Sequence, residues 1–102
     1  MRVVALVGDL LDRSKIAAAI PDVAFASTPE ECAGAGAVII DVKAHPGVVA
    51  AVRKLVPTAR VVVYGRHDNP EALDSATSAG ADAALPRSRF FHDPAAAITF
   101  PP

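Results

Sequence analysis

Charged side chains stand at or just after the ends of the apolar runs of this sequence, and they are the residues that could do chemistry. The clearest cases are Asp9, Asp41 and Arg87. Two neighbouring carboxylates could bind Mg²⁺, a hard cation that takes one or two carboxylates and keeps several waters. We therefore expect a weak Mg²⁺ site at Asp9 and Asp41, with Asp12 in the same acidic pocket. The alternative is that these acids only cap helices or form turns.

The remaining polar residues show no pattern of a zinc or nucleotide site. His45, His67 and His92 lack the fixed spacing of three or four zinc ligands, and Cys32 stands apart from them. No glycine-rich loop follows a strand in the way that phosphate binding requires. A single cysteine cannot form an internal disulfide, which is typical of a reducing compartment. We expect Cys32 to be a buried apolar residue.

Length and composition restrict the class of protein. The sequence has 102 residues, 52% of them hydrophobic, and a formal net charge of −1. This is the size of one domain, residues 1–102, and it excludes a barrel enzyme. No apolar run approaches the ~20 residues of a membrane helix. The balanced charge argues against nucleic-acid and membrane surfaces, and there is no secretory signal, so we expect a cytoplasmic protein.

Five short apolar runs predict the β-strands that must position these residues. The runs near residues 38–40 and 61–63 do not alternate with polar residues. Such continuity is typical of strands that are covered on both faces of a parallel sheet. The five predicted strands are Val3–Val7, Asp22–Ala26, Ala37–Asp41, Val61–Tyr64 and Asp82–Leu85.

Helix signals separate the strands. Asp12 is expected to cap a first helix that Pro21 stops, and Thr28-Pro29-Glu30-Glu31 resembles a capping box. A fourth helix is expected between Asn69-Pro70 and Gly80. The third helix follows Pro46, and its helical spacing predicts a buried face of Val48, Val49, Val52, Leu55 and Val56, with Arg53 and Lys54 pointing outward.

This alternation predicts an α/β fold: a doubly wound, five-stranded parallel sheet with right-handed crossovers. Asp93-Pro94 could begin a last helix, but Phe100-Pro101-Pro102 ends it after about two turns at most. The last helix is therefore expected to be short or absent, which would leave part of one sheet face open for another protein. Ligands of such sheets bind beyond the carboxyl ends of the strands, where the charged residues stand.

A basic and aromatic cluster follows the last predicted strand. It consists of Arg87, Arg89, Phe90 and Phe91, and we call it the 87–91 cluster. Arginine and aromatic residues are enriched at interface hot spots, so an exposed cluster would be an interaction patch, such as a homodimer contact. Alternatively, one or both phenylalanines close the sheet face that the short last helix leaves uncovered.

The order of elements and the strand-end residues resemble the receiver domain of two-component response regulators, from Arg2 to about Phe91. Val38-Ile39-Ile40-Asp41-Val42 is similar to the phosphoacceptor strand, and Val61-Val62-Val63-Tyr64-Gly65 to the fourth strand. The most specific match, residues 79–87, leads into the fifth strand and the receiver lysine. The resemblance implies a flavodoxin-like fold with strand order 2-1-3-4-5 and places Asp41 at the phosphoacceptor position.

The resemblance fails where receivers carry out phosphotransfer. One of the two acids that bind Mg²⁺ after the first strand is replaced by Gly8, and only Asp9 remains. The Ser or Thr after the fourth strand aligns with Gly65, and the lysine aligns with Arg87, whose fork geometry differs from a lysine point charge. These losses should weaken metal-assisted phosphotransfer and disconnect it from conformational change.

The resulting hypothesis is a stand-alone, degenerate receiver that acts through protein–protein interaction in signalling or regulation. It would not be an enzyme, would need no cofactor beyond weakly bound Mg²⁺, and would bind neither nucleic acid nor membrane. One alternative is a phosphorylatable single-domain response regulator that uses Asp41, Asp9 and Arg87. The other is a small flavodoxin-like ligand-binding or enzymatic domain that uses the loops with His45 and His67.

Overall fold

The computed structural model of the chain describes residues 1–43 and 47–99. The strands in these ranges are β1 (Val3–Leu6), β2 (Ala24–Phe25), β3 (Ala37–Asp41), β4 (Arg60–Gly65) and β5 (Ala83–Pro86). The helices are α1 (Leu10–Ala19), α2 (Val48–Leu55), α3 (Pro70–Ser78), α4 (Arg87–His92) and α5 (Pro94–Thr99), with a 3₁₀ turn at Pro29–Cys32. The expectations for His45, Pro46 and the ending at 100–102 fall outside the described residues.

The strands form one parallel sheet in the order β2-β1-β3-β4-β5, which confirms the predicted fold class. Val38 of β3 pairs with Val4 of β1 on one side and with Val61 of β4 on the other. Because all strands run in the same direction, their carboxyl ends meet at one edge of the sheet. The residues after β1, β3, β4 and β5 therefore come together in space.

Both faces of the central strands β1, β3 and β4 are buried, as the continuous apolar runs predict. Alternate residues of the central strands, such as Val38 and Ile40, pack beneath α2, α3 and the 3₁₀ turn. The residues between them, such as Ile39 and Val62, pack beneath α1, α4 and α5. Apolar residues at every position of β1, and at every position of β3 before Asp41, are needed because each strand contributes to two cores.

The end of the chain covers the sheet more completely than its sequence suggests. Helices α4 and α5 each have six residues, so the last helix is short, as expected. Phe90 of α4 and Ile98 of α5 are buried against the same face as Ile16 of α1. The expectation that this face is left open for another protein is therefore wrong, because two short helices fill the place of one long one.

Helix α2 differs from its predicted pattern at two residues. Leu55 is exposed because the helix ends there and the chain turns Val56 inward instead. Arg53 does not point outward. Its guanidinium donates to the carbonyl oxygens of Gly80 at 2.9 Å and Ala59 at 2.7 Å, and it pairs with Asp82 at 2.6 Å.

Two predicted helix starts are also different. Asp9, not Asp12, caps α1, since its Oδ1 accepts a hydrogen bond from the backbone N–H of Asp12 at 3.0 Å. Asp12 lies inside the first turn, with its side chain buried. After Thr28 the chain makes only a 3₁₀ turn, in which the hydroxyl of Thr28 donates to Glu31 at 3.1 Å.

The helices of the described ranges are all short. None of them is long and apolar enough to cross a membrane.

Candidate functional site

A cleft of about 710 Å³ lies at the carboxyl edge of the sheet, between the ends of β1, β3, β4 and β5. The structure thus brings together the strand-end residues that the sequence singled out, although they are far apart along the chain. The cleft is lined by Gly8, Asp9, Asp12, Asp41, Lys43, Arg66, His67, Arg87 and Ser88. Its lining contains both acidic and basic groups, so its chemistry depends on which of these charges are already paired.

Asp41 ends β3 and is largely buried, with 6% of its surface exposed. Its Oδ1 accepts a hydrogen bond from the backbone N–H of Lys43 at 3.0 Å, which forms a tight turn just beyond the strand. It takes part in none of the ion pairs between described residues. Asp41 is therefore a buried carboxylate that is held by the backbone and forms no ion pair with a described side chain.

Asp12 and Arg87 form the most elaborate interaction in the cleft. The two terminal nitrogens of Arg87 donate to the two carboxylate oxygens of Asp12, at 2.8 and 2.6 Å. The side chain of Asp12 is only 3% exposed, whereas that of Arg87 is 38% exposed. A fork of this kind is both strong and specific in direction. The hydrogen bonds from Arg87 are the main reason why the pKa of Asp12 lies below its usual value.

Tyr64 of β4 also contacts the ion pair of Asp12 and Arg87. Its hydroxyl donates to Oδ2 of Asp12 at 2.9 Å. Its ring stacks on Phe90 with centroids 4.9 Å apart, and the guanidinium of Arg87 lies 5.4 Å from its centre. Burial, followed by the hydrogen bond to the Asp12 carboxylate, raises the pKa of Tyr64 well above its usual value. We call these three residues the Asp12–Arg87–Tyr64 network.

The sequence did not reveal this network. The sequence places Asp12 in an acidic pocket or at a helix cap, and the resemblance to receivers places Arg87 at the position of the receiver lysine. The two partners are 75 residues apart in sequence. The only signal that could have suggested the pair was the first-turn position of Asp12, which shares a helix face with the buried Ile16.

Two glycines occupy positions where the resemblance to receivers implies functional side chains, and their surroundings differ. A Cβ placed on Gly8 would meet no atom within 4 Å. A Cβ on Gly65 would lie 2.7 Å from the side chain of Val42 and 3.3 Å from that of Leu73. Gly8 thus leaves room for a larger residue, whereas the side chains of Val42 and Leu73 occupy the space beside Gly65.

The residues expected for a metal site provide a sparse set of donors. No group of three or more His, Cys, Asp or Glu side chains in the described ranges is arranged to hold a metal ion. Asp9 and Asp41 both line the cleft, but one oxygen of each is bonded to a backbone N–H. A divalent cation held by these two carboxylates would depend on water for its remaining ligands.

The other candidates from the sequence take no part in the Asp12–Arg87–Tyr64 network. His67 lines the cleft beside Arg66, which forms an exposed ion pair with Asp68 at 2.8 Å. Cys32 is buried, as expected, and burial raises the pKa of its thiol. His92 lies exposed on α4.

The 87–91 cluster divides into buried and accessible members. Phe90 is fully buried and closes the sheet face, so the interpretation of the whole cluster as an exposed patch is wrong for this residue. Phe91 is half-buried and Arg89 is exposed. Two exposed apolar side chains that the sequence did not single out, Leu10 and Leu11, lie at the start of α1 and are 77% and 74% exposed.

Comparison of the sequence with known proteins gives no assignment. No protein-family model matches the chain, and no curated protein matches it.

Comparison of the structure with solved structures gives clear matches. A response regulator from Burkholderia pseudomallei, crystallised with a phosphorylated aspartic acid, a calcium ion and citrate, has a TM-score of 0.78 at 17% identity, and the match covers 96% of this chain and 66% of that protein. A response regulator receiver domain protein from Clostridium thermocellum has a TM-score of 0.76 at 19% identity, covering 95% and 90%. A response regulator from Thermotoga maritima has a TM-score of 0.70 at 15% identity, covering 84% and 83%. At this level of identity the likeness is one of fold.

Proposed function

Starting from a chain with the fold of response-regulator receiver domains, we propose that residues 1–102 are a degenerate receiver-like domain. It acts in signalling or regulation through contact with protein, and it carries out neither efficient phosphotransfer nor another enzymatic reaction. The observation that carries this proposal is the bidentate pairing of Arg87 with Asp12.

Transfer of a phosphoryl group to a carboxylate requires fixed positive charge around the transferred oxygens. Arg87 stands at the position that corresponds to the receiver lysine, but its charge is neutralised by Asp12. Asp41 is left with a backbone hydrogen bond from Lys43 as its described partner. An anionic phosphodonor that approaches Asp41 would therefore find the cation at the receiver-lysine position already paired, with Lys43 and the Asp68-paired Arg66 as the other described cations of the cleft.

Two other groups that support phosphotransfer in receivers, bound Mg²⁺ and a hydroxyl after the fourth strand, also have little or no counterpart here. Gly8 offers no carboxylate, so Mg²⁺ would be held weakly, by Asp9 and Asp41 alone. Gly65 has no hydroxyl to bond a phosphoryl oxygen, and Val42 and Leu73 fill the space that a larger residue would need. Even if Asp41 were phosphorylated, no side chain at position 65 could bond the phosphoryl group and couple it to a conformational change.

The protein contact that we propose lies on the outer side of α1 and α4. Leu10 and Leu11 are exposed at the start of α1, and Lys15, one turn beyond Leu11, places its ammonium 5.3 Å from the ring centre of Phe91 in α4. Together with the exposed Arg89 of α4, these residues are the contact surface that we propose, and we call it the α1–α4 surface. A second copy of this chain is the partner that we propose to test first.

The absence of phosphotransfer is tested with acetyl phosphate and Mg²⁺, with intact mass spectrometry as the readout. We expect treatment with acetyl phosphate to leave the mass of the wild-type protein and the mass of Asp41→Asn each unchanged. A receiver domain of known activity is the positive control for the donor. A stable adduct of one phosphoryl group that disappears in Asp41→Asn would reject the proposal and favour a phosphorylatable receiver.

Self-association is tested by light scattering over a wide range of protein concentration. We expect the mass to rise with concentration, and Leu10→Ser/Leu11→Ser to reduce this rise. Leu55→Ser is a matched control, because Leu55 is also an exposed leucine but lies on α2, on the other side of the sheet. A wild-type protein that stays monomeric throughout would reject the homodimer.

A further inference from the structure

Arg87 holds Asp12 in the geometry that a guanidinium adopts toward an oxyanion. Both terminal nitrogens donate, one to each carboxylate oxygen, at 2.8 and 2.6 Å. Planar, two-point binding of this kind is what makes arginine a preferred partner of carboxylate and phosphate groups. The carboxylate of Asp12 therefore occupies the face of Arg87 that a free oxyanion would otherwise bind.

The two partners differ in their access to water. Asp12 is 3% exposed and receives a further hydrogen bond from Tyr64, so it cannot move into solvent without breaking the packing of α1. Arg87 is 38% exposed and lines the cleft, where a dissolved anion can approach it. The cation is thus accessible, but its best binding face is covered from inside by the protein's own carboxylate.

We propose that Asp12 is an autoinhibitory carboxylate: it occupies the oxyanion-binding face of Arg87, so that the cleft takes up a free oxyanion only when this carboxylate is removed or neutralised. This inference rests on the proposed function and assigns a cause to it. The pairing of Arg87 with Asp12 keeps anions out of the cleft, in addition to the loss of side chains at Gly8 and Gly65.

The other charged residues that line the cleft act on an entering anion in opposite directions. Asp9 and Asp41 repel an entering anion, Lys43 and Arg66 attract it, and Arg66 is paired with Asp68. Removal of the Asp12 charge makes the cleft more positive by one unit. It also frees the guanidinium of Arg87 from its buried acid. His67 also lines the cleft, so all measurements are made at one fixed pH.

The experiment measures binding of inorganic phosphate at constant ionic strength by NMR. The resonances followed are the side-chain Nε–H of Arg87 and the backbone amide of Ser88. In the wild-type protein we expect no saturable shift at either position. In Asp12→Asn, which keeps an acceptor for Tyr64 but loses the charge, we expect saturable binding at least tenfold tighter than in the wild type. Asp12→Asn/Arg87→Met should lose this binding, because the cation is removed.

Every outcome decides the question. Saturable binding at Arg87 in the wild-type protein would overturn the proposal, and this measurement does not depend on whether a variant folds. A folded Asp12→Asn that binds no better than the wild type would also overturn it. If Asp12→Asn does not fold, Asp12→Ser replaces it with the same expectation.

The same samples separate this inference from the proposed function. Phosphorylation of wild-type Asp41 by acetyl phosphate would reject the proposed function. An unphosphorylated wild type together with an Asp12→Asn that remains unable to bind phosphate would leave the proposed function standing and reject only the role of Asp12.

Discussion

Replacement of Arg87 by methionine should destabilise the protein much more than replacement of Asp12 by asparagine, although both changes break the same ion pair. The reason is the difference in exposure, 3% for Asp12 against 38% for Arg87. Without Arg87, a buried carboxylate keeps the Tyr64 hydroxyl as its only described side-chain donor. Without the Asp12 charge, water can reach the guanidinium and the asparagine still accepts hydrogen bonds.

The expected magnitudes follow from this difference. Removal of one partner of a buried ion pair costs about 3–5 kcal/mol, and the retained Tyr64 bond places Arg87→Met near the lower limit, at about 3 kcal/mol. For Asp12→Asn we expect a loss of about 1 kcal/mol, the net contribution of a typical hydrogen bond. In a domain of this size 1 kcal/mol corresponds to about 4–8 °C in Tm, so the two variants should differ by about 8 °C or more.

Thermal and urea unfolding at pH 7 measure this difference directly. Arg66→Met is the matched control, because it removes an arginine from an ion pair whose side chains are 62% and 52% exposed. Exposed pairs of this kind contribute about 0–1 kcal/mol, so the control should change Tm only slightly. Equal losses of stability in Arg87→Met and Asp12→Asn, or a loss in Arg87→Met no larger than in the control, would refute the reasoning.

The pH dependence of the same difference has a definite sign. The pKa of Asp12 in the folded protein is lowered below its ordinary value of 3.8, chiefly by the hydrogen bonds from Arg87. The stability that this pair contributes is therefore complete above pH 3.8 and is lost as the pH falls through the folded pKa. In Arg87→Met the lowering by Arg87 is lost while burial still acts to raise the pKa of Asp12, so the gap between variant and wild type should narrow as the solution becomes acidic. A gap that stays constant down to pH 3 would contradict this assignment.

Further predictions concern Gly65, Gly8, Tyr64 and the partly buried Arg53 of α2. Gly65→Thr should lower stability by about 1–3 kcal/mol in urea unfolding, because its Cβ would lie 2.7 Å from Val42, and Gly65→Ala should already show part of this loss. Gly8→Asp should leave stability nearly unchanged, because its Cβ meets no atom within 4 Å, and it should increase Mg²⁺ affinity in calorimetry; unchanged affinity would count against a cation position here. Tyr64→Phe should cost about 1 kcal/mol through the lost hydrogen bond to Asp12, with the Arg87 resonances nearly unchanged. Arg53→Lys should reduce Tm, because a lysine cannot serve the carbonyls of Gly80 and Ala59 and the carboxylate of Asp82 together.

Much of the fold was predictable because its causes are local. Continuous apolar runs indicated strands that are covered on both faces, and the structure confirms five parallel strands in the predicted order. Asn69 caps α3 by accepting a hydrogen bond from Ala72 at 3.3 Å, three residues away. Such caps and periodicities depend on residues that are close in the chain, so the order of residues in the sequence is enough to predict them.

The chemistry of the cleft was predictable in its location but not in its pairing. Parallel strands bring their carboxyl ends together, so Asp9, Asp41 and Arg87 had to line one region. Which acid pairs with Arg87 depends on how α1 packs on the sheet and on the position of the Tyr64 hydroxyl that bonds Asp12. Asp12 lies on the buried face of α1, and only the packed structure places that face against Tyr64 and Arg87.

The sequence by itself indicated an α/β fold with a parallel sheet, because continuous apolar runs and helix signals alternate along the chain. Its resemblance to receiver domains implied the strand order, and it placed Gly8 and Gly65 where receivers carry an acid and a hydroxyl. Only the tertiary structure decided that Phe90 is core, that Arg53 turns inward, and that Arg87 belongs to Asp12. These outcomes depend on distances between residues that are remote in the chain. Burial and electrostatics act through such distances, and packing of the whole domain sets them.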